Sequence, residues 1–207
     1  MLQTQTIEPG TLSTLKKLMA LPELSDFLLV GGTALSLHYG HRLSIDIDLF
    51  ATSAFNNEDI IQLLEKEFKD FTYHSKNDAV GIFGYIDNVK VDLVKHSHPL
   101  IDSPFINEGI RLISIPDIIA MKINAIMKRG VKKDFWDIAE LLQHYTMVDF
   151  IKYYEKKYPS QQLLISIPQA LTYFEDAEES EDPISLKGQK WVEIKKSIQK
   201  KVSAFLK

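Results

Sequence analysis

Residues 28–50 have the sequence LLVGGTALSLHYGHRLSIDIDLF, and this segment predicts two strands, a glycine turn and a short helix. An apolar run ends at Gly31-Gly32, which predicts a buried strand over 27–30 followed by a tight turn. Thr33 then opens a short helix that Gly40 closes. The strict alternation of SIDIDLF predicts a second strand over 44–50. This order of strand, glycine turn, helix and strand places both ends of the helix beside the same predicted sheet.

The second strand carries two carboxylates on one side. Its period of two sends three aliphatic residues, beginning with Ile45, to one face and Asp46 and Asp48 to the other. A solvated sheet face explains that pattern. However, two carboxylates about 7 Å apart repel each other, and aspartate is a poor strand former. The repulsion favours a cation between them.

A later alternating segment, VKVDLV at 89–94, predicts another strand with Lys90 and Asp92 on its polar side. If the two strands pair with their aliphatic residues on the core, Asp92 joins Asp46 and Asp48. Three carboxylates favour Mg²⁺ or Mn²⁺ over zinc. Two such ions about 4 Å apart are a recurring device for displacement at phosphorus.

A phosphate cradle is predicted at Gly31, Gly32 and Thr33. Backbone N–H groups at the start of a helix can face an anion, and the Thr33 hydroxyl adds a donor. The alternative is a plain turn in which Thr33 only caps the helix. His41 and Arg42 precede the aspartate strand and could pair with nearby carboxylates. For Arg42 the alternative is that it steadies a triphosphate.

The remaining pattern predicts an α+β protein with a mixed-sheet core, 1–112, followed by a helical bundle, 113–207, packed on it. Further elements of the core are helices near 12–19 and 57–69 and strands near 71–75 and 80–86. From Pro116 onward the period is helical, with helices predicted over 116–130, 132–144, 147–157 and 161–174. A last helix places one apolar stripe on the body, formed by Trp191, Ile194, Ile198, Val202 and Phe205.

Composition restricts the chemistry. The chain has 207 residues, no cysteine and a net charge of −4, which excludes disulfides, thiolate zinc sites, iron–sulfur clusters and a cysteine nucleophile. The negative charge argues against bulk electrostatic binding to nucleic acid or membranes. Without a leader or a long apolar window, a cytoplasmic protein with no membrane partner is expected.

The helical half contains its own candidate residues. Lys122 falls in the middle of an aliphatic stripe, where it either snorkels to water or serves a ligand. Asp134 lies on the buried side of the next helix, and Asp137 at the edge of that side. Lys128, Arg129, Lys132 and Lys133 surround the break at Gly130. They form either a solvated helix junction or a contact for a nucleic acid backbone. The acidic run at 175–182 is expected to be a solvated loop.

Together these motifs resemble the AbiEii/AbiGii nucleotidyltransferase toxins, within the DNA polymerase β-like superfamily. The resemblance rests on the glycine turn followed by Asp-x-Asp, on Gly-His-Arg-x-Ser before the aspartates, and on PDIIAMKINAIMKRGVKKDFWDIAELL at 116–142. It implies a phosphate contact for Thr33 and for Lys122. Metal binding by Asp46 and Asp48, with Asp92 as the third acid, is also implied. So is a catalytic role for Asp134 or Asp137, with the choice between them open.

The resemblance implies a bacterial toxin that transfers a nucleoside monophosphate from a triphosphate, with Mg²⁺ or Mn²⁺, to an RNA such as the tRNA 3′ end. A separately encoded antitoxin is its expected partner. The same core also serves enzymes that modify small molecules such as aminoglycosides, or protein hydroxyls. A non-catalytic interaction module with a decayed site is a third alternative, and the presence of the motif residues argues against it.

Overall fold

The computed structural model describes residues 1–207 and divides them into two compact units. The first unit comprises residues 1–38, 44–99 and 104–113. The second comprises 39–43, 100–103 and 114–207. Two short segments from the first half of the chain therefore group with the helices.

The first unit is built on a seven-stranded mixed sheet. Its strands are β1 Phe27–Leu29, β2 Ile47–Ala51, β3 Thr72–Tyr73, β4 Gly81–Ile86, β5 Val89–Lys95, β6 Phe105–Asn107 and β7 Ile110–Leu112. Their order across the sheet is β3-β4-β5-β2-β1-β7-β6. β2 pairs in parallel with β5 and antiparallel with β1, so the aspartate strand lies in the interior of the sheet. The predicted α+β class with a mixed sheet is confirmed.

β2 begins three residues later than predicted. Ile45 lies outside the strand and is 59% exposed, so its predicted place on the buried face was wrong. The backbone before β2 makes other bonds, because the Ser44 N–H donates to the Thr6 carbonyl at 3.0 Å and the Asp46 carbonyl accepts from the Thr33 hydroxyl. Within the strand itself the predicted alternation holds, and every second residue is buried.

Three helices belong to this unit: α1 Pro9–Ala20, α2 Gly31–Tyr39 and α3 Asn57–Glu67. All three were predicted, but α2 starts at Gly31 instead of Thr33. Both glycines are thus in the first helical turn. α3 begins after Asn56, whose side chain accepts a hydrogen bond from the Glu58 N–H at 2.9 Å.

The sequence pattern missed the hairpin of β6 and β7. These strands are three residues long, too short for a period of two to stand out. Glu108 and Gly109 join them, both with positive φ, 50° and 79°, as in a two-residue hairpin turn of the primed type. β7 then extends the sheet by pairing in parallel with β1.

The second unit is helical. Its helices are α4 Ile115–Lys128, α5 Lys132–His144, α6 Met147–Lys157, α7 Ile167–Thr172 and α8 Trp191–Phe205. α5 and α6 have the predicted bounds. α4 packs against α5, α6 and α7, and α8 packs against α5 and α7. None of the helices in the protein combines the length and apolar character needed to span a bilayer.

α7 is much shorter than the helix predicted over 161–174. Pro168 stands in its first turn, where proline is tolerated. In the predicted helix the same residue would have been interior, where proline removes a hydrogen bond and clashes with the preceding turn. Ser166 fixes the start through reciprocal bonds with Gln169, an arrangement known as a capping box.

The apolar stripe of α8 is confirmed at its centre and fails at one end. Ile194, Ile198 and Val202 are buried, whereas Phe205 is 39% exposed. At the other end Trp191 stacks on Trp136 of α5, with ring centroids 5.7 Å apart. The helix is therefore held by its first three turns.

Candidate functional site

The aspartates of the first unit lie where β2 runs beside β5. Asp48 and Asp92 are register partners across this parallel pair, and neighbouring strands are about 4.8 Å apart. Their side chains therefore stand next to each other on one face of the sheet. Asp46 occupies the residue before β2, at the entrance of the strand. The structure thus brings Asp48 and Asp92 together on one sheet face and places Asp46 just before it; a metal site formed by all three stays a prediction.

The glycine turn approaches Asp48 closely. Gly31 has φ +69°, and a Cβ added there would come within 2.7 Å of the Asp48 carboxylate oxygen Oδ2. The Val30 N–H donates to the Asp48 carbonyl at 3.0 Å, which ties the turn to β2. Because only glycine fits this position, the first turn of α2, with Gly31 and Gly32, begins directly beside a metal-site candidate.

Thr33 holds Asp46 instead of facing outward. Its side chain is buried, its hydroxyl donates to the Asp46 carbonyl, and the Ser44 hydroxyl lies 2.8 Å away. A hydroxyl has one proton to donate, so this proton is committed to the main chain. Thr33 therefore positions the main chain at Asp46, and the phosphate contact that the resemblance implies for it stays a prediction. Ser44, which sequence reasoning gave no role, completes the arrangement.

Asp92 has two differently placed carboxylate oxygens. Oδ2 accepts from the Lys90 ammonium, whereas Oδ1 is buried without a hydrogen-bond partner. Partial burial lowers the pKa of Lys90, but the hydrogen bond and charge of Asp92, together with the charges of Asp48 and Asp46, raise it above the usual value. One ammonium of the chain therefore sits in the field of three carboxylates.

These residues fit a divalent cation by their chemistry, although they are not gathered into a ligand group. Nowhere do three or more Asp, Glu, His or Cys side chains converge closely enough to form one. The donor set, three carboxylates, is what Mg²⁺ and Mn²⁺ prefer. A buried carboxylate oxygen without a partner is costly, and the Asp92 Oδ1 atom is of that kind. A cation at this position would satisfy it.

The second unit contains a separate buried charge cluster around Lys122. The Lys122 ammonium lies 2.8 Å from Asp134 Oδ1 and 2.6 Å from Asp137 Oδ2, and both carboxylates are fully buried. Burial lowers the pKa of Lys122, but the charges of Asp134 and Asp137 outweigh it and the pKa is raised. Lys122 does not snorkel, and its ammonium is committed to two acids.

Asp137 is also held by the segment 39–43. Arg42 approaches it with Nε at 2.7 Å and Nη2 at 2.9 Å, and His41 Nε2 is 2.7 Å from Oδ1. Burial raises the pKa of Asp137, but Arg42, Lys122 and the His41 hydrogen bond keep it well below its usual range. Of the two alternatives for Arg42, the carboxylate pair is the one observed. The expectation that Asp137 lies at the edge of the buried side was wrong.

The basic residues around Gly130 are partly neutralised by the chain itself. Lys132 Nζ lies 2.8 Å from Asp182, and its backbone N–H donates to Ser180. Arg129 Nε is 3.3 Å from Asp134, while Lys128 is exposed. The acidic run at 175–182 is thus not only a solvated loop, because it supplies a counter-charge to Lys132.

Sequence reasoning missed a second buried ion pair in the helical unit. Lys157 Nζ is 2.6 Å from Asp117 Oδ1, and Asp117 also accepts from the backbone N–H groups of Ile101 and Asp102. The available signal was Ser114-x-x-Asp117, which predicts a capped helix start. Only the tertiary structure shows that Asp117 anchors the segment 100–103 to α4.

The fold of this chain, a mixed sheet with paired aspartates beside a glycine-initiated helix, is similar to that of nucleotidyltransferases. Two solved structures share this fold: a candidate nucleotidyltransferase of Helicobacter pylori (18% identity, TM-score 0.60, 95% of each chain covered) and the nucleotidyltransferase toxin MenT4 of Mycobacterium tuberculosis (13% identity, TM-score 0.58, 92% of this chain and 82% of that one).

The family assignment comes from the sequence. The model of the nucleotidyl transferase AbiEii toxin family, of type IV toxin–antitoxin systems, matches residues 14–203, and the chain belongs to that family. An uncharacterized protein of Aquifex aeolicus is 33% identical over 201 residues, which cover 93% of this chain and 94% of that protein. The recognition drawn from the motifs is confirmed.

Proposed function

We propose that this nucleotidyltransferase moves a nucleoside monophosphate from a triphosphate to a hydroxyl of an RNA acceptor, the tRNA 3′ end being the leading candidate, with release of pyrophosphate. The observation that carries the proposal is the register of Asp48 with Asp92 directly beside the glycine start of α2. Carboxylates that attract cations and a helix start that attracts anions then share one sheet face.

Asp46, Asp48 and Asp92 are the residues that would hold Mg²⁺ or Mn²⁺. When bound, such an ion supplies neutralising charge to the triphosphate and lowers the pKa of an acceptor hydroxyl. The chain's own contribution is positioning. Thr33 and Ser44 fix the main chain at Asp46, and Gly31 sets the distance between α2 and Asp48.

The triphosphate would bind at the first turn of α2. The first N–H groups of a helix have no acceptor within it, and the absence of a Cβ at Gly31 and Gly32 allows a phosphate oxygen to reach them. The helix macrodipole favours negative charge at the same end. These terms act mainly by orientation and electrostatic stabilisation, as expected for transfer at phosphorus.

The buried charge cluster around Lys122 has a structural role in this proposal. Asp137 binds His41 and Arg42, and in sequence these residues directly precede Ser44 and Asp46. The cluster therefore fixes the segment 39–43 within the helical unit. The phosphate contact implied for Lys122, and a catalytic role for Asp134 or Asp137, would require these buried pairs to open.

An RNA acceptor is supported by the cations beside Gly130, of which Lys128 is exposed and Lys133 half-buried. Contacts with phosphates release counterions, so affinity falls with salt in proportion to the contacts made. Changing Lys128 and Lys133 together to alanine should weaken RNA binding and flatten the salt slope by about one unit per lost contact. Lys66→Ala with Lys69→Ala, two exposed lysines of the first unit, is the matched control. Equal slopes in both double variants would favour a small-molecule or protein acceptor.

The acceptor class is tested by incubating the enzyme with each of the four α-labelled triphosphates and total cellular RNA. Label is expected in an RNA band that disappears on ribonuclease treatment. Label that survives ribonuclease and is lost on proteolysis would point to a protein hydroxyl instead. The type IV toxin–antitoxin family also implies a separately encoded antitoxin as partner, and its co-expression should relieve the growth inhibition caused by the enzyme.

A further inference from the structure

Lys90 has no role in the proposed chemistry, yet its ammonium pairs with Asp92, one of the three candidate metal ligands. Lys90 and Asp92 are two residues apart on β5, so their side chains emerge on the same face of the sheet. The ammonium pairs with Asp92 Oδ2 while the lysine side chain is 43% exposed. A partly exposed ammonium on a flexible side chain is thus paired with a carboxylate of the candidate metal site.

We propose that Lys90 is an internal counter-ion of the aspartate site, which competes with the divalent metal for Asp92 and turns to the triphosphate once the metal has bound. The inference rests on the proposed function, because it assigns a role at the same site. The positive charge of Lys90 would offset part of the repulsion between the neighbouring carboxylates.

The geometry indicates that Lys90 and a metal ion would compete for the Asp92 carboxylate, and that Lys90 does not merely hold Asp92 in place as a ligand. The Lys90 ammonium pairs with Oδ2 of Asp92, while Oδ1 is buried without a hydrogen-bond partner. The three carboxylates do not form a ligand group. A metal bound at Oδ1 would share the carboxylate with the Lys90 ammonium, and the repulsion between the two positive charges would weaken the Lys90 pair. The Lys90 side chain, which is 43% exposed, can then turn toward the negative charge of a nucleotide.

Mn²⁺ binding without nucleotide, followed by electron paramagnetic resonance, tests the first half of the proposal. Lys90→Met should bind Mn²⁺ about tenfold more tightly than the wild type, because one nearby positive charge is removed. Lys90→Arg keeps the charge and should remain close to the wild type. Lys95→Met is the control on the same strand, since the Lys95 ammonium lies over the Phe55 ring; it should have no effect.

The second half predicts an effect of opposite sign. With Mn²⁺ saturating, Lys90→Met should bind a non-hydrolysable triphosphate several-fold more weakly than wild type, and Lys90→Arg should restore the affinity. If Lys90→Met leaves Mn²⁺ affinity unchanged or lowers it, the competition is refuted. If Asp48→Asn binds Mn²⁺ as the wild type does, the metal site itself fails, and with it the proposed function and this inference.

Discussion

Several polar residues of this protein bind other parts of the chain where the motifs suggested a ligand. The Thr33 hydroxyl donates to the Asp46 carbonyl, Arg42 pairs with Asp137, and Lys122 lies between Asp134 and Asp137. Each residue type was predicted from its charge or its hydroxyl, either of which can bind a phosphate or an acceptor of the chain itself. Burial decides between the two, because a buried charge must have its partner within the chain.

Lys122→Met tests this at the scale of one residue. The apolar stem is conserved, but two buried carboxylates lose a shared counter-charge, so the free energy of unfolding should fall by about 3–5 kcal/mol. Urea unfolding measures this loss. Lys128→Met, at the exposed end of the same helix, should stay within about 0.5 kcal/mol. If the two variants are equally stable, the ion pairs of Lys122 are not a source of stability.

At the scale of elements, α2 sets the geometry of the candidate site. Its first residue, Gly31, has a positive φ and lies against Asp48, and its third residue, Thr33, holds Asp46. The helix is therefore connected, within one turn, to Asp48 of β2 and to Asp46 just before that strand. A small displacement of this turn would move the predicted phosphate cradle and a predicted metal ligand together.

Gly31→Ala should impair transfer far more than a comparable change elsewhere. The added Cβ would come 2.7 Å from the Asp48 carboxylate, in addition to the strain of φ +69°. Gly109→Ala is the matched control, because Gly109 has φ +79° and nothing within 4 Å of an added Cβ. Both changes should cost about 1 kcal/mol of backbone strain. Only Gly31→Ala should reduce Mn²⁺ affinity and activity, and similar activity losses in both would contradict the close approach.

Elements with long periodic patterns were predictable from the sequence, and short or proline-limited ones were not. The aspartate strand, the glycine turn and helices α5 and α6 follow from local periodicity. The hairpin of β6 and β7 was missed because three-residue strands carry no period. The helix predicted over 161–174 was too long because Pro168 was placed in its interior instead of its first turn.

Candidate site residues were predictable as residue types but not as contacts. The polar face of β5 was evident, including Lys90, but the pairing of Lys90 with Asp92 depends on side-chain rotamers. The parallel register of Asp48 with Asp92 could not be predicted from the alternation of apolar and polar residues. A period of two predicts the face on which a side chain lies, but it does not predict which strand pairs with which. Asp137 was placed at an edge since its three partners, His41, Arg42 and Lys122, come from distant parts of the chain.

At the scale of the whole molecule, buried charges distinguish the helical unit. Asp137 is fully buried among Arg42, Lys122 and His41, and Asp117 is buried against Lys157. Such pairs stabilise little relative to apolar packing, but breaking one partner is costly. The helical unit should therefore respond to pH through the protonation of a buried carboxylate.

Asp137→Asn should lose most stability near neutral pH. The folded-state pKa of Asp137 lies well below its usual value, so its stabilising effect is complete above the unfolded pKa of about 3.9 and disappears as the pH falls through the lower folded value. The difference in unfolding free energy between the wild type and Asp137→Asn should thus shrink from pH 5 toward pH 2. Urea titrations across this range measure it; a constant difference would mean that Asp137 is not held ionised.

Transfer of a nucleoside monophosphate is the activity proposed for the site of Asp46, Asp48 and Asp92. A comparison of α-labelled and γ-labelled triphosphate with the same acceptor RNA tests this activity. Only the α label should enter the acceptor, and the γ label should leave as pyrophosphate. Asp46→Asn and Asp48→Asn should each reduce the transfer by more than about a hundredfold without lowering the melting temperature, because removing a carboxylate relieves repulsion. Transfer of the γ label, or wild-type transfer by both variants, would contradict it.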